Sequence, residues 1–356
     1  MENLKNFWKN KKVFITGHTG FKGAWLCIIL NHLDAKISGY SLKPTNNSLF
    51  TKSRIAKKIL SNNYSDIKDI TKLKKELKLF KPEIIFHLAA QPLVLESYKN
   101  PINTFETNIN GTLNLLESIR KIKSVKSVVI VTTDKVYKIN KKDNTYEEED
   151  ELGGLDPYSA SKVGTEIIVN SYIKSFFMNT SLENKVSSAR SGNVIGGGDF
   201  SKNRLVPDII KSINNKKKLI IRNPHQIRPW QHVLEPLLGY LTLAEKQYKN
   251  KAKNINSKNH SWNFGPNKKN FKSVLNIVNY MKKKQNFKHI IKKNNIYNET
   301  NFLKLNSIKA KQKLNWVGKW NLKLALEKTM EWNNLVKNGS SVKDVCVNQF
   351  LEYIKE

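Results

Sequence analysis

The apolar positions of this chain alternate between short runs and longer segments with helical spacing. The runs at 13–16, 84–90 and 127–134 are rich in β-branched residues and mostly end in small or polar side chains, which predicts strands. "AKISGYSL" predicts a further strand, and helical stretches such as "TFETNINGTLNLLESIR" separate the runs. Because strands that alternate with helices form parallel sheets covered on both faces, we predict an α/β protein with a doubly wound parallel sheet.

A glycine-rich turn follows the first predicted strand. Gly17, Gly20 and Gly23 lie between that strand and a helix-period segment. A strand, a tight turn and a helix N-terminus present free N–H groups to a pyrophosphate, although the order G-x-x-G-x-x-G differs from the commoner G-x-G-x-x-G. Ligands of such sheets bind beyond the carboxyl ends of the strands. We therefore expect residues 87–91 and 132–135 to face one crevice.

The second half of the chain predicts a smaller lobe. From about residue 193 the pattern is rich in loops, and "HSWNFGP" at 260–266 predicts a strand that returns to the sheet. We expect a dinucleotide-binding domain of residues 1–192, with a returning segment at about 233–266. A smaller C-terminal substrate-binding lobe would comprise residues 193–232 and 267–356.

Composition narrows the class of protein. The net charge is +33, but only six of the 62 basic residues are arginine, whereas nucleic-acid readers depend on arginine forks. We expect no nucleic-acid partner. The apolar stretch Ala24–Leu30 is too short to span a membrane and no signal-peptide pattern precedes it, so we expect a cytoplasmic protein without a membrane partner. Two cysteines, Cys27 and Cys346, are too few for a Cys-rich metal site, and we expect no metal.

The segment "YSASK" places Tyr158 and Lys162 four residues apart. On one helical turn both side chains lie on the same face. A nearby positive charge favours the phenolate, so the pair could take and return a proton near neutral pH. In a lysine-rich chain the same spacing also arises as a surface helix pair.

Several stretches together resemble a known family. They include "TGHTGFKGAWL", "HLAAQPLVLESYKNP", "VVIVTTDKVYKIN", "LGGLDPYSASK", "ARSGNVIGGGDF" and "RNPHQIRPWQHVLEPLLGYL". They run in family order from residue 16 to 266, about 70% of the chain. The chain resembles the extended short-chain dehydrogenase/reductase family, with its Rossmann-type fold, and within it the nucleotide-sugar 4,6-dehydratases. The resemblance implies transient oxidation at C4 of a hexose, loss of water between C5 and C6, and return of hydride to C6.

The resemblance assigns catalytic roles to five residues. Tyr158 would be the base on the sugar hydroxyl, Lys162 would hold the nicotinamide ribose and lower the Tyr158 pKa, and Thr133 would hydrogen-bond the reacting oxygen. Asp134 would protonate the departing C6 hydroxyl, with a turn-capping aspartate as the alternative. Relatives that act on dTDP-glucose carry Glu where this chain has Lys135. That lysine is either the C5 base or a charged group that stabilises the enolate, and both alternatives stay open.

The resemblance also implies a bound dinucleotide. The expected cofactor contacts are Gly17, Thr19, Gly20, Phe21, Gly23, Asp66, Ile67, Ala89, Ala90, Gln91, Asn108, Tyr158 and Lys162. The second strand ends in "GYSLKP", without the acidic residue that usually binds the ribose 2′-OH, and Lys43 could accommodate a 2′-phosphate. An internal redox cycle nevertheless favours NAD over NADP.

The expected substrate is a nucleotide sugar, with CDP-glucose implied by the resemblance around 223–236 and by "TTDK". Substrate contacts would come from Asn193, Arg204, Arg228 and His232, the last with simple packing as the alternative. Another nucleotide sugar, or 4-epimerisation, is the competing function. Relatives dimerise through the helices that follow Pro101 and Tyr158, so the resemblance implies a homodimer. It also implies a place in deoxysugar synthesis for surface polysaccharide such as lipopolysaccharide O-antigen.

Overall fold

The computed structural model of the chain describes residues 2–140, 145–249, 260–292 and 303–356. The strands are β1 (Lys12–Thr16), β2 (Lys36–Ser41), β3 (Ser61–Tyr64), β4 (Ile84–His87), β5 (Ser127–Val131), β6 (Thr145–Tyr146), β7 (Val186–Ser191), β8 (Val194–Ile195), β9 (Leu219–Ile221), β10 (Ile227–Pro229), β11 (Gln231–His232), β12 (Ser261–Phe264), β13 (Phe271–Ser273), β14 (His289–Ile291) and β15 (Lys304–Leu305). The α-helices are α1 (Glu2–Trp8), α2 (Phe21–His32), α3 (Leu49–Lys52), α4 (Ile70–Phe80), α5 (Val94–Lys99), α6 (Pro101–Phe105), α7 (Gly111–Ile119), α8 (Pro157–Tyr172), α9 (Leu205–Asn215), α10 (Leu234–Tyr248), α11 (Val274–Lys284), α12 (Ile308–Leu314), α13 (Leu322–Lys337) and α14 (Val342–Lys355).

Seven strands form one sheet in the order β12-β7-β5-β4-β1-β2-β3. Every neighbouring pair in this sheet is parallel. β12 pairs with β7, which confirms the strand predicted at 260–266. The predicted doubly wound α/β fold is therefore confirmed.

Alternating side chains of the strands build two cores, one on each face of the sheet. Val13 and Ile15 of β1 belong to a cluster with residues of α2, α10 and α14. Phe14, between them, points to the other face and joins a cluster with residues of α4, α7 and α8. Because both faces are covered, the central strands are apolar throughout rather than alternating with polar residues.

A separate apolar cluster lies in the second half of the chain. It collects side chains of α9, α11 and α13 with those of β8 and β9 and with Trp230. The last helix, α14, packs instead on α2, where the rings of His32 and Phe350 lie 6.1 Å apart. The lobe boundaries predicted from the sequence stay a prediction, and part of the returning segment, 250–259, lies outside the described residues.

The described part of the chain contains neither a membrane-spanning helix nor a cluster of metal ligands. Within residues 2–140, 145–249, 260–292 and 303–356, no helix combines the length and the hydropathy needed to cross a bilayer. In the same ranges, no group of three or more His, Cys, Asp or Glu side chains is arranged to hold a metal ion.

Candidate active site

A cleft of about 800 Å³ opens at the carboxyl ends of the central strands. Every predicted site residue except Asn108 and His232 lines it. The lining includes most of the glycine turn at 17–23 and several residues between 219 and 230. The fold therefore brings the residues predicted for cofactor, substrate and catalysis to one place, as expected for ligands of a doubly wound sheet.

The glycine turn begins with Gly17 in the left-handed backbone conformation, and it is least crowded at Gly20. Gly17 has φ of +72°, and a Cβ there would lie 2.6 Å from the Ala89 nitrogen. A Cβ on Gly23 would lie 2.2 Å from the Gly17 oxygen, whereas one on Gly20 would meet only that oxygen, at 3.3 Å. Gly20 precedes α2 and offers no side-chain cap, so the first N–H groups of the helix stay available. This cradle fits a pyrophosphate.

The remaining predicted cofactor contacts lie along the cleft, with one exception. Thr19 hydrogen-bonds to Ser41 at 2.8 Å, and the Asp66 carboxylate accepts from the Lys68 backbone N–H at 2.9 Å. Asn108 is buried behind the wall: its Oδ1 accepts from the Gln91 N–H at 2.8 Å and its Nδ2 donates to the Ser161 hydroxyl at 2.8 Å. Asn108 therefore holds the loop that carries Gln91, and does not itself face the cleft.

The segment after β5 places three predicted catalytic residues together. Thr133 caps a short 3₁₀ turn, accepting from the Lys135 N–H at 3.4 Å and donating to Asp134 Oδ1 at 3.0 Å. Burial raises the pKa of Asp134, against the opposing effects of the Lys135 charge, the Thr133 hydrogen bond and the Arg228 charge. A carboxyl group that keeps its proton more readily is suited to act as an acid.

Tyr158 and Lys162 lie on the first turns of α8. The helix starts with an Asp156–Ser159 capping box and with Pro157 in its first turn, which fixes the direction of the Tyr158 side chain. Burial raises the pKa of Tyr158 to about 12, against a hydrogen bond with Thr133. Lys162 Nζ donates to the Val131 carbonyl at 3.3 Å.

The electrostatics of this pair differ from the simple expectation that Lys162 lowers the Tyr158 pKa. Burial also acts on the lysine, lowering the pKa of Lys162 to about 8, while the charge of Glu166 raises it. Desolvation therefore dominates both groups in the protein itself, because each is removed from water.

A buried ion pair lies behind these residues, and sequence reasoning missed it. Arg190 binds Glu166 through two nitrogens, at 3.0 Å and 2.9 Å, with both side chains almost fully buried. Thr132 and Ser188 each donate to Glu166 at 2.6 Å, and Ser261 donates at 3.1 Å. Burial alone would raise the pKa of Glu166, but the Arg190 charge and these donors hold it below its ordinary value.

A second missed residue is Lys22, which lines the cleft from the first turn of α2. Its Nζ donates to the Ser191 hydroxyl at 2.8 Å and to the Tyr240 hydroxyl at 3.3 Å. The signal was present in the sequence, because Lys22 stands between two glycines of the turn, in an otherwise apolar stretch.

The predicted substrate arginines both line the cleft. Arg204 Nη1 pairs with Asp199 Oδ2 at 3.1 Å and stays one-third exposed. Arg228, on β10, is nearly buried and lies within electrostatic range of Asp134. Asn193 lines the cleft, and its carbonyl accepts from the Gln231 N–H at 3.0 Å.

His232 does not line the cleft, so its prediction as a substrate contact is wrong. The ring is fully buried between Trp25 and Trp320, at centroid distances of 6.1 Å and 4.8 Å. Burial lowers the pKa of His232 to about 3, so the ring is neutral. The alternative, simple packing, describes this residue.

Comparison with known proteins finds similarity to nucleotide-sugar dehydratases and epimerases. The profile of the family described as GDP-mannose 4,6 dehydratase matches residues 14–329. A CDP-glucose 4,6-dehydratase of Salmonella typhimurium is 41% identical over 356 residues, 98% of each chain. The structure of a dTDP-glucose 4,6-dehydratase of Bacillus anthracis in complex with NAD superposes with a TM-score of 0.74 at 22% identity, over 94% of this chain and 99% of that one. A UDP-glucose 4-epimerase of Thermotoga maritima, solved with UDP-glucose, gives a TM-score of 0.77 at 22% identity, over 91% and 99%.

Proposed function

Because the chain belongs to the GDP-mannose 4,6-dehydratase family, we propose that it converts CDP-glucose to CDP-4-dehydro-6-deoxyglucose and water with bound NAD. The observation that carries the proposal is the meeting of Thr133, Asp134 and Lys135 with Tyr158 and Lys162 in one cleft. The 41% identity to a CDP-glucose 4,6-dehydratase supports the choice of nucleotide and reaction. NAD is supported by the open glycine cradle and by its presence in a similar dehydratase structure.

Tyr158, in its phenolate form, would take the proton of the sugar C4 hydroxyl and become the neutral phenol. Thr133 would hold the same oxygen, since it already hydrogen-bonds to Tyr158. Lys162, with a pKa of about 8, stays mostly charged at neutral pH and stabilises the phenolate that this step requires. When bound, NAD would accept the C4 hydride and later return it to C6.

Asp134 and Lys135 would carry out the loss of water. The ketone at C4 acidifies the neighbouring C5–H, since the developing negative charge can spread onto the oxygen. Asp134 has a raised pKa, which favours a protonated carboxyl that can donate to the departing C6 hydroxyl. Lys135 lines the same part of the cleft and would remove the C5 proton, or hold the enolate charge while another group does so.

Arg204 and Arg228 would bind the pyrophosphate of the substrate. A guanidinium fork matches two phosphate oxygens, and the two arginines enter the cleft from different places, the residue before α9 and the strand β10. Asn193 would contact the phosphate linked to the sugar. Asp199 keeps Arg204 at the cleft and would be displaced or shared when the phosphate arrives.

We also propose a homodimer that works in the cytoplasm, in deoxysugar synthesis for surface polysaccharide. Ile102, Phe105 and Ile167 leave 74%, 37% and 58% of their surface exposed on two helices that pack together, α6 and α8. Such an apolar patch suits the same face of a second copy. Cys27 and Cys346 are free buried thiols, which is usual for proteins of a reducing compartment.

A panel of nucleotide sugars tests the function. Purified protein with NAD would be given CDP-, dTDP-, GDP- and UDP-glucose in parallel, and products would be identified by mass spectrometry and NMR. We expect a 4-keto-6-deoxy product, lighter by one water, from CDP-glucose first. Recovery of CDP-galactose would instead establish an epimerase, and turnover of another nucleotide alone would refute the CDP assignment.

A further inference from the structure

Lys22 carries a partly buried amine that is held by neutral partners inside the candidate active site. Its Nζ donates to the hydroxyls of Ser191 and Tyr240, and Tyr240 itself donates to Ser191 at 2.9 Å. These groups come from α2, β7 and α10, so three elements fix the amine. Within the described residues, no carboxylate is close enough to form an ion pair with Lys22. Removing an ammonium from water without a negatively charged partner costs stability. A methionine of similar length at this position would avoid that cost.

The amine lies between the two halves of the predicted cofactor site. Lys22 is part of the glycine turn that fits a pyrophosphate, and its charge interacts with Lys162 and Asp134 at the catalytic end. A dinucleotide that starts at the turn and reaches Tyr158 must pass this position. Its nicotinamide is positively charged when oxidised and uncharged when reduced, so a fixed ammonium nearby distinguishes the two forms.

We propose that Lys22 sets the redox preference of the bound nicotinamide, an inference that rests on the proposed function. Its positive charge disfavours the oxidised, cationic ring relative to the neutral reduced ring. In the C4 step the hydride leaves carbon for the ring while the hydroxyl proton goes to Tyr158. The sugar is oxidised, the ring is reduced, and the positive charge beside Lys22 disappears. The lysine therefore favours oxidation of the sugar, and weakens retention of oxidised NAD relative to NADH.

This effect should depend on pH. Burial lowers the pKa of Lys22 to about 7, with the charges of Arg204 and Lys162 acting in the same direction and that of Asp134 against them. Tyr240, the other titratable group in contact, has its pKa raised by burial and stays neutral. Lys22 is charged below its pKa and neutral above it. Affinity for oxidised NAD relative to NADH should therefore rise as the pH rises through 7.

The test is a pair of dissociation constants measured by calorimetry on the nucleotide-stripped full chain. In Lys22→Met the ratio of the NAD dissociation constant to the NADH dissociation constant should fall about tenfold to a hundredfold, whereas any attraction of Lys22 to the shared pyrophosphate changes both constants equally. Lys22→Arg stays charged between about pH 6 and about pH 8 and should keep throughout the ratio that wild type shows at about pH 6. Lys99→Met removes a charge at the outer rim of the cleft and should leave the ratio unchanged. In wild type the ratio should change between about pH 6 and about pH 8, and in Lys22→Met it should not.

The outcomes separate this inference from the proposed function. Equal shifts of both constants in Lys22→Met, or a wild-type ratio that is independent of pH, would overturn the role of Lys22 while turnover of CDP-glucose continues. If Lys22→Met does not fold, as judged by circular dichroism, the role of Lys22 is tested by wild type and Lys22→Arg alone. The ratio of the two dissociation constants should then change with pH in wild type and stay constant in Lys22→Arg. If wild type binds neither dinucleotide, the proposed function and this inference both fail.

Discussion

Replacing Glu166 with glutamine should destabilise the protein strongly, although the side chain keeps its size. The carboxylate accepts five hydrogen bonds, two of them from Arg190, and both side chains of the pair are at most 3% exposed. Glutamine turns one oxygen into an N–H₂ donor that faces other donors and leaves the Arg190 charge uncompensated. Removing one partner of a buried pair costs about 3–5 kcal/mol.

Urea unfolding followed by tryptophan fluorescence measures this loss. Arg190→Met alone should cost a similar amount, because it leaves the carboxylate unpaired. The double variant Glu166→Gln, Arg190→Met should lose clearly less than the sum of the two singles. As a control, Glu151→Gln breaks an exposed pair with Lys138 and should change stability by less than about 1 kcal/mol. Additive losses, or a single variant that unfolds at the wild-type urea concentration, would refute the reasoning.

The same substitution should change the active site. Glu166 raises the pKa of Lys162, which burial has lowered to about 8. Without the carboxylate the Lys162 pKa falls further, so the lysine loses its charge at lower pH. Any step that needs charged Lys162 should therefore weaken at a lower pH in Glu166→Gln than in wild type. An unshifted pH profile would contradict this coupling.

Three further outcomes are expected. Asp134→Asn should slow water loss by about 10²–10⁴-fold but leave formation of reduced nicotinamide nearly intact, and an equal loss in both steps would contradict its role as acid. Tyr158→Phe should slow C4 oxidation by at least about 10²-fold while calorimetric affinity for CDP-glucose stays within about threefold; a collapse of binding would point to misfolding instead. Tyr353→Phe removes a 2.6 Å donor to buried Glu235 and should lower the free energy of unfolding by about 1–3 kcal/mol. Because burial raises the pKa of Glu235 to about 7, that loss should be larger above pH 7, where the carboxylate is charged, and a loss independent of pH would contradict it.

The sheet and the main site elements were predictable because their signals are local. Apolar runs predicted β1, β4, β5 and β12, and the parallel order follows from strands that alternate with helices. The segment after β5 and the Tyr158–Lys162 turn were singled out as catalytic candidates through the family resemblance, because the Tyr–Lys spacing alone also arises by chance in a lysine-rich chain. The family and the fold are confirmed, whereas the catalytic roles of individual residues stay predictions.

What the sequence could not predict depends on distant contacts. His232 is adjacent in sequence to plausible ligand residues, but its ring packs against Trp25 and Trp320. These two residues are far from His232 in sequence, one near the start of the chain and one near its end. The Arg190–Glu166 pair joins β7 to α8, and nothing in the local sequence of either residue indicates the other. The raised Tyr158 pKa likewise reflects burial by the whole fold rather than the neighbouring lysine.

The contact of α14 with α2 joins the end of the chain to its beginning. Phe350 packs against His32, at the far end of the helix whose first turn carries Lys22, and Cys346 lies in the same apolar cluster. A premature stop codon that deletes residues 342–356 would remove α14 and expose the apolar surface of α2 that α14 covers. Such a truncated product should lose dinucleotide affinity although every predicted dinucleotide contact is still encoded.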